Sequence, residues 1–383
     1  MQPPPRGIHL HYGFDARGQQ GADIANPLFE LLAAVQEHGS IRHAAQAMGS
    51  SYRHVWGALK QWEDALGEPL VAWVQGKPAR LTPFALRLLW AERHARTRMT
   101  PHIEALRAEL LHVLAQAQDP ELELLEIHAG HDPALSLLRE QAAGQQLHLS
   151  LRFAGSLDAL TALAAGRCAV AGFHLPALPH GSPVYAAALK PLLKPGQHVF
   201  IGCTRRRAGL MLRDDAGATL RSETALADLI AGQAAGRPRF INRQPGSATR
   251  LLMDHLLHTQ SIAPEAIAGY LAPPEDSHLA VAAAIASGQA DIGPGTEAAA
   301  AEFGLRLVPL VEEQCFLVCT KAALDTPAVT RLRDALAGLG FADALEALPG
   351  YLSARPGELL SVGQALPWWN VRAGRQAPGS DLA

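Results

Sequence analysis

Hydrophobic side chains between residues 28 and 66 recur with the period of three consecutive helices. The first set is spaced i, i+3, i+4 and i+7, which places it on one helical face: Leu28, Leu31, Leu32 and Val35. The second set includes two small residues that let helices approach closely: Ile41, Ala44, Ala45 and Met48. The third set predicts a buried stripe on a longer helix: Tyr52, Val55, Trp56, Leu59 and Leu66.

Glycine and serine residues between these sets carry the signals that begin and end helices. Gly39 stops the first helix, and Ser40 follows it in the N-cap position of the second. Gly49 permits a sharp turn because glycine tolerates positive φ, and Ser50 or Ser51 caps the third helix. Two helices joined by so short a turn are typical of a helix-turn-helix.

A short hairpin is predicted after the third helix. Strands at 69–74 and 79–82 flank a turn with the cation Lys77 at its tip. The third helix also turns polar side chains outward, as a helix lying in a DNA major groove requires. The predicted DNA contacts are Arg42, Ser50, Ser51, Tyr52, Arg53, His54, Lys60, Lys77 and Arg80. The alternative is an ordinary three-helix cluster with a solvated polar face.

Residues 83–117 predict a helix that carries the seam of a short coiled coil. The seam repeats at alternating steps of four and three residues: Met99, Ile103, Leu106, Leu110 and Val113. Pro101 interrupts it, so we expect a break or kink there, with Thr100 as the cap of a new helix. The seam indicates either a dimerisation helix or a helix packed on its own domain.

From residue 121 the pattern changes to strands that alternate with helices. Predicted strands at 122–127, 147–153 and 169–173 are each followed by a short polar or glycine-containing loop. In open α/β sheets the loops after the carboxyl ends of strands converge on one pocket. The sequence therefore predicts a ligand site where these loops meet.

A second α/β unit contains the polar turn 242–250 at the start of a helix. The hydroxyls of Ser247 and Thr249 lie beside free backbone N–H groups at the start of the helix, an arrangement suited to an anion. Arg243 and Arg250 add positive charge. A capped helix with solvated arginines is the alternative. The predicted ligand contacts are His131, Asp132, Gly155, Ser156, His174, Asn242, Arg243, Gln244, Gly246, Ser247, Thr249, Arg250 and His278.

Composition agrees with several domains. The chain has 383 residues, 48% of them hydrophobic, which is enough for two or three cores. Its net charge of −3 does not indicate nucleic-acid binding, so DNA would be bound by local basic patches. The four cysteines lack metal-ligand spacing, and no apolar run approaches the length of a membrane span. We expect a cytoplasmic protein without metal or cofactor.

The residues quoted between 39 and 82 resemble the winged helix-turn-helix of molybdate-responsive ModE-type regulators, which is related to the LysR-type DNA-binding domain. The alternating strand pattern at 8–12 is similar to the strand that precedes it in the ModE type. Residues 122–351, with the turn 242–250, resemble the periplasmic-binding-protein-like domain of such regulators. That resemblance implies a type II fold with two lobes, joined by two crossings near 203–209 and 309–315.

The resemblance implies a multidomain α/β chain with these boundaries: a winged helix-turn-helix at 1–82, a linker or dimerisation helix at 83–120, a two-lobed domain at 121–370 and a disordered tail at 371–383. Lobe I takes 121–205 and 312–370, and lobe II takes 206–311. The implied function is a dimeric regulator, or a dimer of dimers, that binds promoter DNA and a small anion. Molybdate or tungstate is favoured, while a carboxylate or a phosphate-bearing ligand stays open.

Two other kinds of protein remain as alternatives. An enzyme of molybdenum-cofactor metabolism would use the same cleft, with His131, Asp132 and His278 as its acid and base. A cytosolic carrier would use the cleft for binding, and its N-terminal domain would bind protein instead of DNA. The sequence contains no Walker loop, nucleophile elbow or dinucleotide fingerprint, which argues against an enzyme.

Overall fold

The computed structural model describes residues 27–72, 79–118, 122–178, 181–213 and 238–369. The chain divides into two compact units, Met1–Arg107 and Ala108–Ala383. The strand expected at 8–12, the tip of the hairpin with Lys77 and the tail at 371–383 lie outside the described residues. Each unit is considered by itself.

The first unit is a three-helix cluster with a short hairpin. Its helices are α1 (Pro27–His38), α2 (Ile41–Ala47) and α3 (Tyr52–Leu66), and strand β1 (Val71–Ala72) pairs antiparallel with β2 (Arg80–Leu81). Ser40 caps α2 and Ser51 caps α3, since their hydroxyls accept hydrogen bonds from the backbone N–H groups of His43 and His54. Gly39 and Gly49 adopt positive φ, as the predicted turns require.

A single helix, α4 (Pro83–Gln118), follows the hairpin and continues from the first unit into the second. The break expected at Pro101 is therefore wrong. Thr100 does not cap a new helix, because its hydroxyl donates a hydrogen bond to the carbonyl of Arg96 one turn earlier, at 2.9 Å. Such a bond is typical of threonine inside a helix.

The second unit begins with alternating strands and helices. These are β3 (Glu123–Ala129), α5 (Pro133–Ala143), β4 (Leu147–Phe153), α6 (Ser156–Ala164), β5 (Val170–Pro176) and α7 (Pro183–Leu189). Strand β3 lies between β4 and β5 and is parallel to both. Helices α5 and α6 begin where β3 and β4 end, as the sequence predicts.

The remaining elements of this unit complete both lobes. They are β6 (His198–Leu212), α8 (Ala248–Thr259), α9 (His278–Ala286), β7 (Ile292–Thr296), α10 (Glu297–Glu302), β8 (Arg306–Thr320), α11 (Pro327–Ala337), α12 (Leu339–Glu346), β9 (Tyr351–Ser353), β10 (Leu359–Ser361) and α13 (Val362–Ala365). Single turns of 3₁₀ helix occur at Pro264–Ala266 and Lys321–Ala323.

Two strands of 15 residues each, β6 and β8, connect the lobes. They pair antiparallel with each other along their length, and the sheet order is β10-β6-β8-β5-β3-β4, with β7 and β9 also paired to β6. Both predicted crossings, 203–209 and 309–315, lie within these strands. The mixed sheet thus supports lobe I at one end of the strand pair and lobe II at the other.

Separate hydrophobic clusters stabilise the two lobes. Lobe I packs α5, α11 and α12 on one face of the sheet, and α6, α7 and residues 360–369 on the other. In lobe II the rings of Phe240 and Tyr270 stack with centroids 5.5 Å apart. The four cysteines are free and buried. No helix among the described residues has the length and apolar character needed to cross a bilayer.

Candidate functional site

The outward face of α3 is the candidate DNA-binding surface. Arg53 and His54 are exposed in its first turn, beside the capping Ser51. The expected burial of Tyr52 and Trp56 is wrong, because these side chains are 49% and 41% exposed. They are spaced i, i+4, so they share the outward face and enlarge it with aromatic surface.

The other predicted DNA contacts vary in their surroundings. Arg42 on α2 and Arg80 on β2 are exposed, and Ser50 is half-buried in the turn between α2 and α3. Lys60 forms an ion pair with Glu63 at 2.6 Å and lies 5.9 Å from the Trp56 ring centroid. The charge of Lys60 is therefore partly neutralised by Glu63 of the same helix.

In the second unit, a buried ionic network occupies the junction of the two lobes. Arg206 of β6 donates to Glu313 of β8 through Nε and Nη2, at 3.0 and 2.8 Å. Its Nη1 donates to Asp132 Oδ2 at 2.8 Å. The same carboxylate oxygen lies 2.7 Å from Nε2 of His174, and Asp132 Oδ1 caps helix α5. The network joins the start of α5 to both connecting strands.

The network stabilises the charged forms of Asp132 and His174, which burial alone would disfavour. Burial raises the pKa of Asp132, but the hydrogen bond from His174 and the charge of Arg206 outweigh it and hold that pKa well below its usual range. Burial and Arg206 lower the pKa of His174, yet Cys315 and Asp132 raise it to about 9. The surroundings of His174 therefore favour its positively charged form.

His278, the first residue of α9, brings lobe II to this network. Its Nε2 lies 3.3 Å from Nη2 of Arg206 and 3.4 Å from the hydroxyl of Thr249. Because a guanidinium can only donate, Nε2 must accept, and Nδ1 carries the proton. That Nδ1 is buried and has no hydrogen-bond partner among the described residues. It is a donor without an acceptor.

Arg243 is a second buried donor with unused capacity. Its Nη2 donates to the carbonyl of Asp276 at 2.8 Å, whereas its Nε has no partner in the part of the chain that the structure describes. The residue is 5% exposed. Burial, followed by the charge of Arg206, lowers its pKa to about 10, against the opposing charges of Asp276, Glu313 and Glu275. An anion nearby would be stabilised by this charge.

The rest of the turn 242–250 is held by bonds of its own. The side chain of Asn242 bonds to the carbonyl of Tyr270 and the N–H of Arg243, and Gln244 donates its N–H to Glu275. Ser247 caps α8 by accepting from the N–H of Arg250 at 3.2 Å. Arg250 itself pairs with Asp254 at 2.9 Å and lies over the Tyr270 ring. The two predicted arginines thus have different surroundings.

Among the remaining predicted contacts, Gly155, Ser156 and Gly246 lie where the lobes touch. Gly246 accepts a hydrogen bond from the N–H of Leu157 at 3.0 Å, beside Gly155 and the buried Ser156 at the start of α6. A Cβ at Gly155 would lie 3.3 Å from the Gly246 carbonyl oxygen, so this approach needs a small residue. The ring of His131 lies 4.9 Å from that of Phe153. Within the described residues, no cluster of His, Cys, Asp and Glu is placed to hold a metal ion.

Arg206 and Glu313 are the central pair that sequence reasoning missed. Three arginines, 205–207, interrupt a hydrophobic strand, and Glu312 and Glu313 interrupt its partner. Strand alternation turns Arg206 inward and its two neighbours outward. The signal was present in the sequence as a basic run and an acidic run within the two predicted crossings.

His278 makes stability depend on pH. Burial, followed by the charges of Arg243 and Arg206, holds its pKa well below the ordinary 6.5. Below pH 6.5 the unfolded chain binds a proton that the folded chain does not, so stability present above that pH is lost as the pH falls. We expect this group to cost about 1.4 kcal/mol per pH unit below 6.5.

Urea unfolding between pH 4.5 and 7.5 measures this dependence. His278→Gln should reduce the acid slope, whereas the same change at the exposed His258 should leave it as in the wild type. Equal slopes for all three proteins would contradict a neutral buried His278.

Two family models match the chain. Residues 136–337 match the PBP superfamily domain, and residues 28–86 match the bacterial regulatory helix-turn-helix protein model of the lysR family. The uncharacterized protein YvgK of Bacillus subtilis (strain 168) is 29% identical over 196 residues, which cover 50% of this chain and 60% of YvgK. The chain thus spans less than two thirds of that relative.

Solved structures with a loose overall likeness are full-length regulators. A cysteine-to-serine mutant of OxyR from Corynebacterium glutamicum with bound H2O2 is 15% identical, with a TM-score of 0.40 over 86% of this chain and 97% of that one. LysG from the same organism, with bound effector Arg, is 18% identical, with a TM-score of 0.36 over 81% and 96%.

Proposed function

We propose that this chain, which belongs to the PBP superfamily and carries a lysR-family helix-turn-helix at its N-terminal end, is a one-component transcriptional regulator. Its architecture is that of a LysR-type regulator and not of an enzyme: a DNA-binding domain followed by a ligand-binding domain. We propose that promoter DNA is its partner and that a small anion bound between the lobes controls it.

The exposed face of α3 supports the DNA-binding part of the proposal. Arg53 and His54 extend from the first turn of a capped helix, where base contacts concentrate in helix-turn-helix proteins. Arg42 and Arg80 add exposed positive charge on neighbouring elements. Such charges suit the flanking phosphates, so we expect binding that weakens steeply with salt.

The seam on α4 supports a homodimer. Leu106, Leu110 and Val113 are 45%, 36% and 63% exposed, and they lie at coiled-coil spacing. Exposed leucines and valines in one row are stabilised when a second copy covers them. A dimer would also present two recognition helices to two half-sites.

The single observation that carries the ligand part is the unsatisfied pair of buried donors, Arg243 Nε and His278 Nδ1. A buried donor without an acceptor destabilises a protein by about 1–3 kcal/mol, so an anion that accepts from either donor would be bound favourably. Because Arg206 links Asp132 of lobe I to His278 of lobe II, a ligand held at this junction would favour the closed cleft.

Arg243→Ala is expected to abolish stabilisation by the anion, because it removes the incompletely neutralised charge. The measurement is the shift in melting temperature with molybdate, tungstate, sulfate, phosphate and small carboxylates. Arg250→Ala is the matched control: although the sequence predicts Arg250 as a ligand contact, its charge is already paired with Asp254 at 2.9 Å, so we expect its loss to have little effect. If no anion raises the melting temperature of the wild type, the anionic ligand is wrong. If Arg243→Ala responds as the wild type does, the binding site at Arg243 is wrong.

A further inference from the structure

Gly57 lies at the centre of the outward face of α3, where the two usual reasons for a glycine do not apply. Its φ is not positive, and a Cβ placed on it would meet nothing within 4 Å in the described part of the chain, apart from its own helix backbone. Val55 and Leu59, two residues before and after it, are buried, so at 3.6 residues per turn Gly57 faces away from the core. Packing among the described residues therefore does not select this glycine.

A glycine at this position also lowers the stability of α3. In the middle of an exposed helix, glycine is less favourable than alanine because it loses more backbone freedom on folding. The remaining physical reason for glycine is the close approach of another molecule to the helix backbone. Since this face is the DNA-binding surface proposed above, DNA is the molecule that approaches.

The side chains around Gly57 leave a shallow notch in the face of α3, which we call the Gly57 notch. Arg53 and Gln61 lie one turn before and one turn after it, and Trp56 and Lys60 lie beside it. The Trp56 side chain is 41% exposed and contributes apolar surface. The floor is the glycine Cα, because the backbone N–H and C=O groups are used in the hydrogen bonds of the helix. The notch is therefore apolar at its floor and along one side.

An apolar notch in a helix that lies in the major groove suits the C5-methyl group of thymine. Thymine presents this apolar group at its base edge, beside the hydrogen-bonding groups that read the other bases. A phosphate would instead require donors at the floor of the notch. Arg53 and Gly57 are four residues apart, about 6 Å along the helix and roughly two base-pair steps. A base contact by Arg53 therefore places the notch over a neighbouring base pair.

We infer that Gly57 is a specificity-determining residue that admits the C5-methyl group of a thymine, within about two base pairs of the base that Arg53 contacts. This inference rests on the proposed function, and it adds recognition by shape to the hydrogen bonds of the polar side chains. Any larger residue at position 57 would place its Cβ where the thymine methyl group lies.

Deoxyuridine tests the inference without any change in the protein, since it differs from thymidine only by lacking the C5-methyl group. Each thymine of a fragment selected by the wild type from random DNA is replaced in turn, and fluorescence anisotropy measures the affinity. We expect replacement at one position of the half-site to weaken binding about fourfold, because one apolar carbon group is no longer buried. Equal affinity at every replaced position would overturn the inference and leave the DNA-binding regulator standing.

Gly57→Ala is the complementary change in the protein. It should weaken binding to the thymine fragment about tenfold or more, because two methyl groups then compete for one space. With deoxyuridine at the sensitive position the loss should stay below about threefold, since the alanine methyl group takes the vacated space and the two changes are not additive. The melting temperature should not fall, because alanine favours a helix more than glycine does.

Ala65→Leu is the matched control, since it adds a larger group at an exposed position in the last turn of α3 and should leave both affinities unchanged. Equal losses for Gly57→Ala on the two fragments would indicate an approach to the sugar–phosphate backbone and would overturn the thymine contact. Wild-type affinity of Gly57→Ala for the thymine fragment would overturn it as well. If the wild type selects no fragment from random DNA, the proposed regulator and this inference both fail.

Discussion

Arg53→Ala is expected to weaken binding to a specific DNA fragment by about 10- to 100-fold, the loss that follows removal of one well-placed base contact. Arg53 is exposed in the first turn of α3, and its removal leaves the core of the first unit intact. The melting temperature should therefore not change. Fluorescence anisotropy with a fragment selected by the wild type from random DNA measures the affinity.

Arg87→Ala is the matched control for this variant. It removes the same charge from an exposed position on α4, outside the recognition helix. If Arg53 contacts a base edge, its loss should also reduce the preference for the selected fragment over a scrambled one. If it contacts only phosphate, affinity should fall equally on both fragments. Equal losses for the two variants would contradict a recognition role for α3.

Local signals in the sequence predicted the first unit well. Serine caps at Ser40 and Ser51 and turns at Gly39 and Gly49 depend on residues within one helical turn, so the boundaries of α2 and α3 follow from short windows. The outward orientation of Tyr52 and Trp56 was not predicted from the sequence, because large aromatic residues at helical spacing usually indicate buried positions. Only packing against α1 and α2 decides which face of α3 is buried.

The ionic network shows where such windows fail. Arg206 and Glu313 are 107 residues apart, and they meet only because β6 and β8 pair antiparallel with one particular register. Asp132 was predicted from the loop after β3, as the topology of an α/β sheet suggests. His174 was expected in the loop after the third strand, but it lies within β5 (Val170–Pro176) and reaches the network from the sheet itself. The register between distant strands has no comparable local signal in the sequence. For this reason Arg206 and Glu313 were missed, whereas Asp132 and His174 were predicted.

Arg206→Met is expected to lower the free energy of unfolding by about 3–5 kcal/mol, the largest loss of stability among the changes considered. The variant keeps an unbranched side chain of similar length but leaves Asp132 and Glu313 as buried carboxylates without their shared cation. Arg239→Met is the matched control. The side chain of Arg239 makes two hydrogen bonds to Asp291 and one to the carbonyl of Gly288, but it is 58% exposed, so the loss should stay below about 1 kcal/mol.

The loss of stability in Arg206→Met comes mainly from the two buried carboxylates that are left without a cation. The lost attraction between the arginine and the carboxylates contributes less. Asp132→Asn and Glu313→Gln in the Arg206→Met background should therefore recover part of the loss, since neutral amides are buried at lower cost than charges. Urea unfolding of the single and triple variants, followed by circular dichroism, measures the recovery. A triple variant less stable than Arg206→Met would mean that the two carboxylates stabilise this junction without the arginine, contrary to a network organised around Arg206.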